Sequence, residues 1–193
     1  MSRTRLAAVL IPLLITSTEA AFADTPPASG GAVTTERAAQ LSESFSELHA
    51  VSQWSVNLSE MADKRAKSDL VKTYARAVMN ANPSLDAKLV SVAQKQGIDI
   101  VPPDPQTEES KSLSERMKAE AVLLGSLAGD AFDKEYMTLV TNTQQSVLNL
   151  LKASKGSAKE PEVKQLIGEL TTTVQNRLKT AQDIMSKIYG NRI

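Results

Sequence analysis

Four polar residues interrupt otherwise apolar helical stripes. Ser55 stands between Val51 and Leu58, Asn82 between Val78 and Leu85, Gln144 between Val140 and Val147, and Arg177 between Val174 and Ala181. Each lies three or four residues from its apolar neighbours, the spacing that places side chains on one face of an α-helix. Buried polar groups need hydrogen-bond partners, and a buried charge needs compensation. The four residues therefore read in one of two ways. They form a hydrogen-bonded polar layer across a helical core, or the helical phase is off by one residue and some of them face water. Glu60, Asp86 and Asp133 are the carboxylates that could pair with Arg177, and the sequence does not choose among them.

Residues for other chemistry are scarce. His49 is the one histidine, and it reads as an exposed or boundary residue of a helix; Trp54 nearby reads as a core or rim aromatic. The chain has no cysteine, so thiol ligands, thiol redox chemistry, disulfides and a lipidated N-terminal cysteine are all excluded. No Glu-x-x-His pair, glycine-rich phosphate loop or Gly-x-Ser-x-Gly turn occurs. The expectation is a protein without catalytic residues, metal ligands or cofactor. A carboxylate metal site would need several converging oxygens, whereas the Asp and Glu residues here fall mostly at helix starts and on polar faces.

The elements that must position the polar layer follow from punctuation and periodicity. Arg3 and Arg5 followed by the ten apolar-rich residues 6–15 and Ala21-Phe22-Ala23 form a signal-peptide pattern, with cleavage after Ala23. The apolar run is too short to span a bilayer, and no later run is long enough. Residues 24–34 read as a Pro/Gly/Ser linker without fixed structure. A first helix is expected over 35–65, capped by Thr34 or Thr35 and carrying Leu41, Phe45, Leu48, Val51, Leu58 and Met61. A second starts at Ser68-Asp69 and ends at Gly97, with a kink or break at Pro83. Residues 98–106, with three prolines, form an extended crossover. A short helix follows to about Leu127, then one capped by Asp130 and ended by Gly156, then one from Pro161 to Gly190. The fold expected is all-α: a ferritin-like four-helix bundle over 35–190 with one long crossover and a short extra helix.

Charge bounds the partners. The 193 residues hold 22 basic and 22 acidic side chains. Loss of residues 1–23 removes Arg3, Arg5 and Glu19 and leaves a net charge of −1. That balance provides no basic footprint for nucleic acid or an anionic membrane.

Tyr74-Ala75, Gln96-Gly97-Ile98 with the prolines after it, Phe132-Asp133-Lys134-Glu135-Tyr136-Met137 and Leu178-Lys179-Thr180-Ala181-Gln182 occur in an order and spacing that resemble an exported bacterial family, domain of unknown function 4142. The resemblance runs from about residue 42 to 186, and Phe-Asp-x-x-Tyr is its most specific element. Members are often labelled outer membrane proteins. The resemblance implies a ferritin-like fold and a metal site built from a glutamate on the first helix and one histidine on each of three later helices. The matching positions here are Ser55, Asn82, Gln144 and Arg177, so the scaffold is kept and the ligands are replaced. An arginine there would stand in for a cation and hold Asn82 and Gln144 in a hydrogen-bonded network, in which case Arg177→Met is expected to destabilise.

The expectation for function is a non-catalytic periplasmic bundle, a binding or envelope-associated module with a degenerate metal site and an unidentified protein or envelope partner. Two alternatives stand beside it: a metal-binding, metal-storing or metal-dependent oxidoreductase protein of the ferritin-like type, and a bundle that associates with lipid or the outer membrane through its apolar faces. A homo-oligomer is left open.

Overall fold

The computed structural model describes residues 30–101 and 108–190. Within them lie five α-helices and no strand: α1 (Gly30–Arg65), α2 (Asp69–Lys95), α3 (Glu108–Ser126), α4 (Gly129–Ser157) and α5 (Pro161–Tyr189). The signal-peptide pattern, residues 24–29 of the expected linker and the crossover prolines fall outside the described residues.

The helix ends follow local chemistry. Gly97 takes φ 65°, Ile98 N–H donates to Ala93 O at 2.9 Å and Gly97 N–H to Gln94 O at 3.3 Å, so α2 closes in a Schellman turn. Pro161 occupies the first turn of α5, where its missing N–H costs nothing. Gly190, at φ 66°, ends that helix.

Several boundaries correct the sequence reading. The first helix begins at Gly30 rather than at 35, so residues 30–34 belong to α1 and not to a linker. No proline follows Pro27 in this stretch, and once a helix is nucleated each added residue gains a hydrogen bond. α2 runs unbroken through Pro83, because the helix is held by packing along its buried face, which offsets one lost hydrogen bond. The cap of α4 is Ala128 in extended conformation, not Asp130; Gly129 makes the turn with φ 60°, leaving Asp130 within the first turn. Gly156 does not stop α4, which continues to Ser157.

The four long helices form a square in which α1 packs on α2 and α4, and α5 packs on α4 and α2. Contacts at the two ends fix their directions. At one end Arg65 reaches Gly125 O and Leu127 O, Lys67 and Ser68 meet Asp133, and Tyr189 Oη reaches Asp130 O. At the other, Ser42 Oγ donates to Asp99 O, Gln96 to Glu162, and Ser157 to Gln40. Every neighbouring pair is therefore antiparallel. This is possible only because the connection from α2 to α4 carries the chain back along the bundle, with α3 as part of it.

The core is split in two. One cluster packs Leu58, Val71, Tyr74, Val78, Phe132, Tyr136, Val140 and Ala181; the other packs Phe45, Leu48, Leu89, Leu151, Val163, Leu166 and Val174. The division falls between Leu48 and Leu58 on α1, Val78 and Leu89 on α2, Val140 and Leu151 on α4, and Val174 and Ala181 on α5. Those four gaps are where the sequence has Ser55, Asn82, Gln144 and Arg177.

Candidate functional site

All four stripe-breaking residues line one cavity of about 60 Å³ at the level where the core divides. Asn82 and Gln144 are 5 % and 6 % exposed, while Ser55 and Arg177 are half-buried. Ser52, Asp86, Thr143 and Thr173 complete the polar wall, with apolar side chains such as Val51 and Leu85 between them.

Arg177 is the charge at the centre. Its Nη1 donates to Asn82 Oδ1 at 2.5 Å, and the Asn82 amide in turn donates to the Ser52 carbonyl of α1 at 3.3 Å. Arg177 Nη2 is buried and has no hydrogen-bond partner among the described residues. None of the carboxylates considered from sequence pairs with it among the described residues. Glu60 is exposed, Asp86 binds His49, and Asp133 lies at the α1–α2 turn. Burial lowers the Arg177 pKa, opposed by the nearby Tyr74 and Tyr136 hydroxyls. The guanidinium reaches Asn82 but not Gln144, so half of the expected network forms. Gln144 instead lies close enough to Tyr74 to favour its ionised form, although Tyr74 Oη is buried and makes no hydrogen bond of good geometry among the described residues.

The cavity wall also holds one member of a pair that the sequence reading missed. His49 Nδ1 lies 2.8 Å from Asp86 Oδ1, and His49 Nε2 lies 2.9 Å from Gln53 Nε2. The imidazole bridges the Asp86 carboxylate on α2 and the Gln53 amide one turn along α1. His49 is thus a boundary residue, as expected, but one that orients a cavity carboxylate. The available signal was spacing: Asp86 follows Asn82 by four residues and shares its helix face.

The Phe-Asp-x-x-Tyr element has a structural explanation. Asp133, 1 % exposed, accepts from Lys67 N–H at 3.0 Å and Ser68 N–H at 2.7 Å, tying the α1–α2 turn to α4. Tyr136 Oη bonds Ser59 Oγ at 2.9 Å, and its ring stacks on Phe132 and meets Tyr74 edge-on. Arg65 covers the Phe132 ring at 5.4 Å. These residues brace one end of the bundle and do not line the cavity.

A larger space of about 570 Å³ lies between α1 and α3, walled by Trp54, Met61, Leu113 and Met117. Its charged residues, Lys111, Glu115 and Lys118, are exposed and do not converge. Among the described residues no helix is long and apolar enough to cross a membrane, and no three His, Cys, Asp or Glu side chains are grouped to hold a metal ion.

Among curated proteins none matches the sequence. Solved structures share the fold. A protein from Streptomyces coelicolor, described as a secreted DUF305 protein, superposes with TM-score 0.62 at 15 % identity over 78 % of this chain and 93 % of its own. CopM superposes in its Ag-bound form with TM-score 0.61 at 15 % identity, and in its Cu(I)-bound form with 0.61 at 14 %, each over 78 % of this chain and 98 % of that one. At such identities the likeness extends to the helical bundle alone. Residues 26–184 match the family Domain of unknown function (DUF4142). With most of its length matched, the chain belongs to the DUF4142 family.

Proposed function

We propose that the protein is an exported, non-catalytic periplasmic binding module whose central site carries its own cation, Arg177, in place of a metal. The observation that carries this reading is the guanidinium itself. It lies half-buried in the cavity, bonded to Asn82, with no carboxylate paired to it. A metal ion in that cavity would meet a fixed positive charge and, beside the single carboxylate of Asp86, only neutral amide and hydroxyl groups, a poor donor set for a transition-metal cation. Export is supported by the N-terminal charge, apolar run and Ala21-Phe22-Ala23, and by the likeness to a protein described as secreted.

The second reading is a metal-binding bundle, favoured by the likeness to CopM in Ag-bound and Cu(I)-bound forms. Elemental analysis of the mature protein, isolated from the periplasm without chelators or affinity histidines, separates the two. A folded protein without stoichiometric metal fits the Arg177-centred reading. Stoichiometric transition metal overturns it.

A further inference from the structure

We propose that the cavity binds a small solute with a carboxylate at one end and a hydrogen-bond donor, ammonium or hydroxyl, at the other. The inference rests on the reading of the site as a metal-free binding site and names what it takes.

Two charged groups of the cavity wall define the ligand. Among the described residues, Arg177 Nη2 is a buried donor without an acceptor, on a cation without a counter-ion. A carboxylate is the group that answers both, because the guanidinium fork matches it in shape and charge. The second group is Asp86, one helical turn from Asn82 on α2. Its single hydrogen bond uses Oδ1, where His49 holds it, and its other oxygen is left to accept. A bare anion would be repelled by Asp86, whereas a solute that turns a donor toward it is held at both ends. Ser55 and Thr173 add hydroxyls to the wall that make no hydrogen bond of their own among the described residues. A cavity of about 60 Å³ offers on the order of four to six water-sized positions, which suits a solute of about five heavy atoms. Its remaining wall is aliphatic, lined by side chains such as Leu48, Leu85 and Val174, and offers no competing polar partner to the solute.

Calorimetric titration of the full mature chain with glycine, β-alanine, glycolate and acetate tests this, with metal content measured on the same preparation. Saturable 1:1 binding of at least one donor-bearing probe is expected, about tenfold or more tighter than acetate. Asp86→Asn should weaken the ammonium-bearing probes more than glycolate, which separates the two donor chemistries. Arg177→Met should abolish binding. Should that variant not fold, Arg177→Lys keeps the charge, removes the fork and is expected to bind about tenfold or more weakly. No saturable binding of any probe by metal-free protein, or binding unchanged in the Arg177 variants, overturns the ligand assignment while leaving the metal-free reading intact. Stoichiometric metal in the preparation overturns both.

Discussion

Arg177 on α5 and Asn82 on α2 meet at 2.5 Å across the polar layer that divides the hydrophobic core, and among the described residues no carboxylate compensates the guanidinium. A layer of this kind weakens a bundle. It interrupts apolar packing on four helices and leaves Arg177 Nη2 and Tyr74 Oη buried without partners. Groups left unsatisfied by the protein itself are the ones that the proposed solute would satisfy.

Arg177→Met alone removes the donor to Asn82 Oδ1 and should lower stability by about 1–3 kcal/mol, the usual effect of orphaning a buried acceptor. Replacing both partners, Arg177→Met with Asn82→Leu, removes the desolvated charge and the orphaned amide together. The double variant should melt at or above the temperature of the natural protein, as apolar replacements of buried polar groups often do. Thermal denaturation of both variants measures this. A double variant less stable than the single one would mean that the layer is a structural brace.

Asp133 behaves differently. Its carboxylate is the acceptor for two backbone N–H groups at the α1–α2 turn. Asp133→Ala orphans both and should cost about 2–4 kcal/mol, read as a drop in the denaturation midpoint with unchanged slope. Binding at the central cavity, once corrected for the folded fraction, should be unaffected.

Alkaline pH should destabilise the fold. Burial raises the Tyr74 pKa from 10.0 to about 12, against the lowering influence of Arg177 and Gln144. Burial raises Tyr136 further, only partly relieved by its bond to Ser59. The unfolded chain releases these protons near pH 10 while the native chain keeps them, so stability is full below pH 10 and falls as pH rises toward 12. The part due to Tyr74 is on the order of 2–3 kcal/mol by pH 12. Tyr189, more exposed, is also raised to about 12, by burial and by Asp133 and Asp130. With only three tyrosines in the chain, and all three raised, native protein at pH 10.5 should show almost no tyrosinate absorbance. Titration of one tyrosine near pH 10 in the folded protein would contradict the packing at that residue.

Much of this was legible in the sequence. Gly97 and Pro161 marked helix ends because each has a backbone property that few residues share. The positions of Ser55, Asn82, Gln144 and Arg177 were legible because a polar residue amid Val and Leu at helical spacing stands out, and all four line one cavity. What could not be read was pairing. Nothing in the order of residues says that Asp133 turns to a loop 66 positions away, that Asp86 takes His49 rather than Arg177, or that the guanidinium stops short of Gln144. Those choices are made by helix directions and side-chain reach. The start of α1 was misplaced for another reason: Gly30-Gly31 reads as linker by composition, yet nothing after Pro27 forbids the helix.

The most direct test compares the natural chain with a variant carrying Ser55→Glu, Asn82→His, Gln144→His and Arg177→His, the pattern that the family resemblance implies at these four cavity positions. Both are freed of metal, titrated with Cu(I), Ag(I) and Zn(II), desalted and analysed for bound metal. If Arg177 occupies the place of a cation, the natural chain retains none stoichiometrically and the variant retains one ion per chain. If the natural chain retains one equivalent, the central charge does not exclude metal and the account fails.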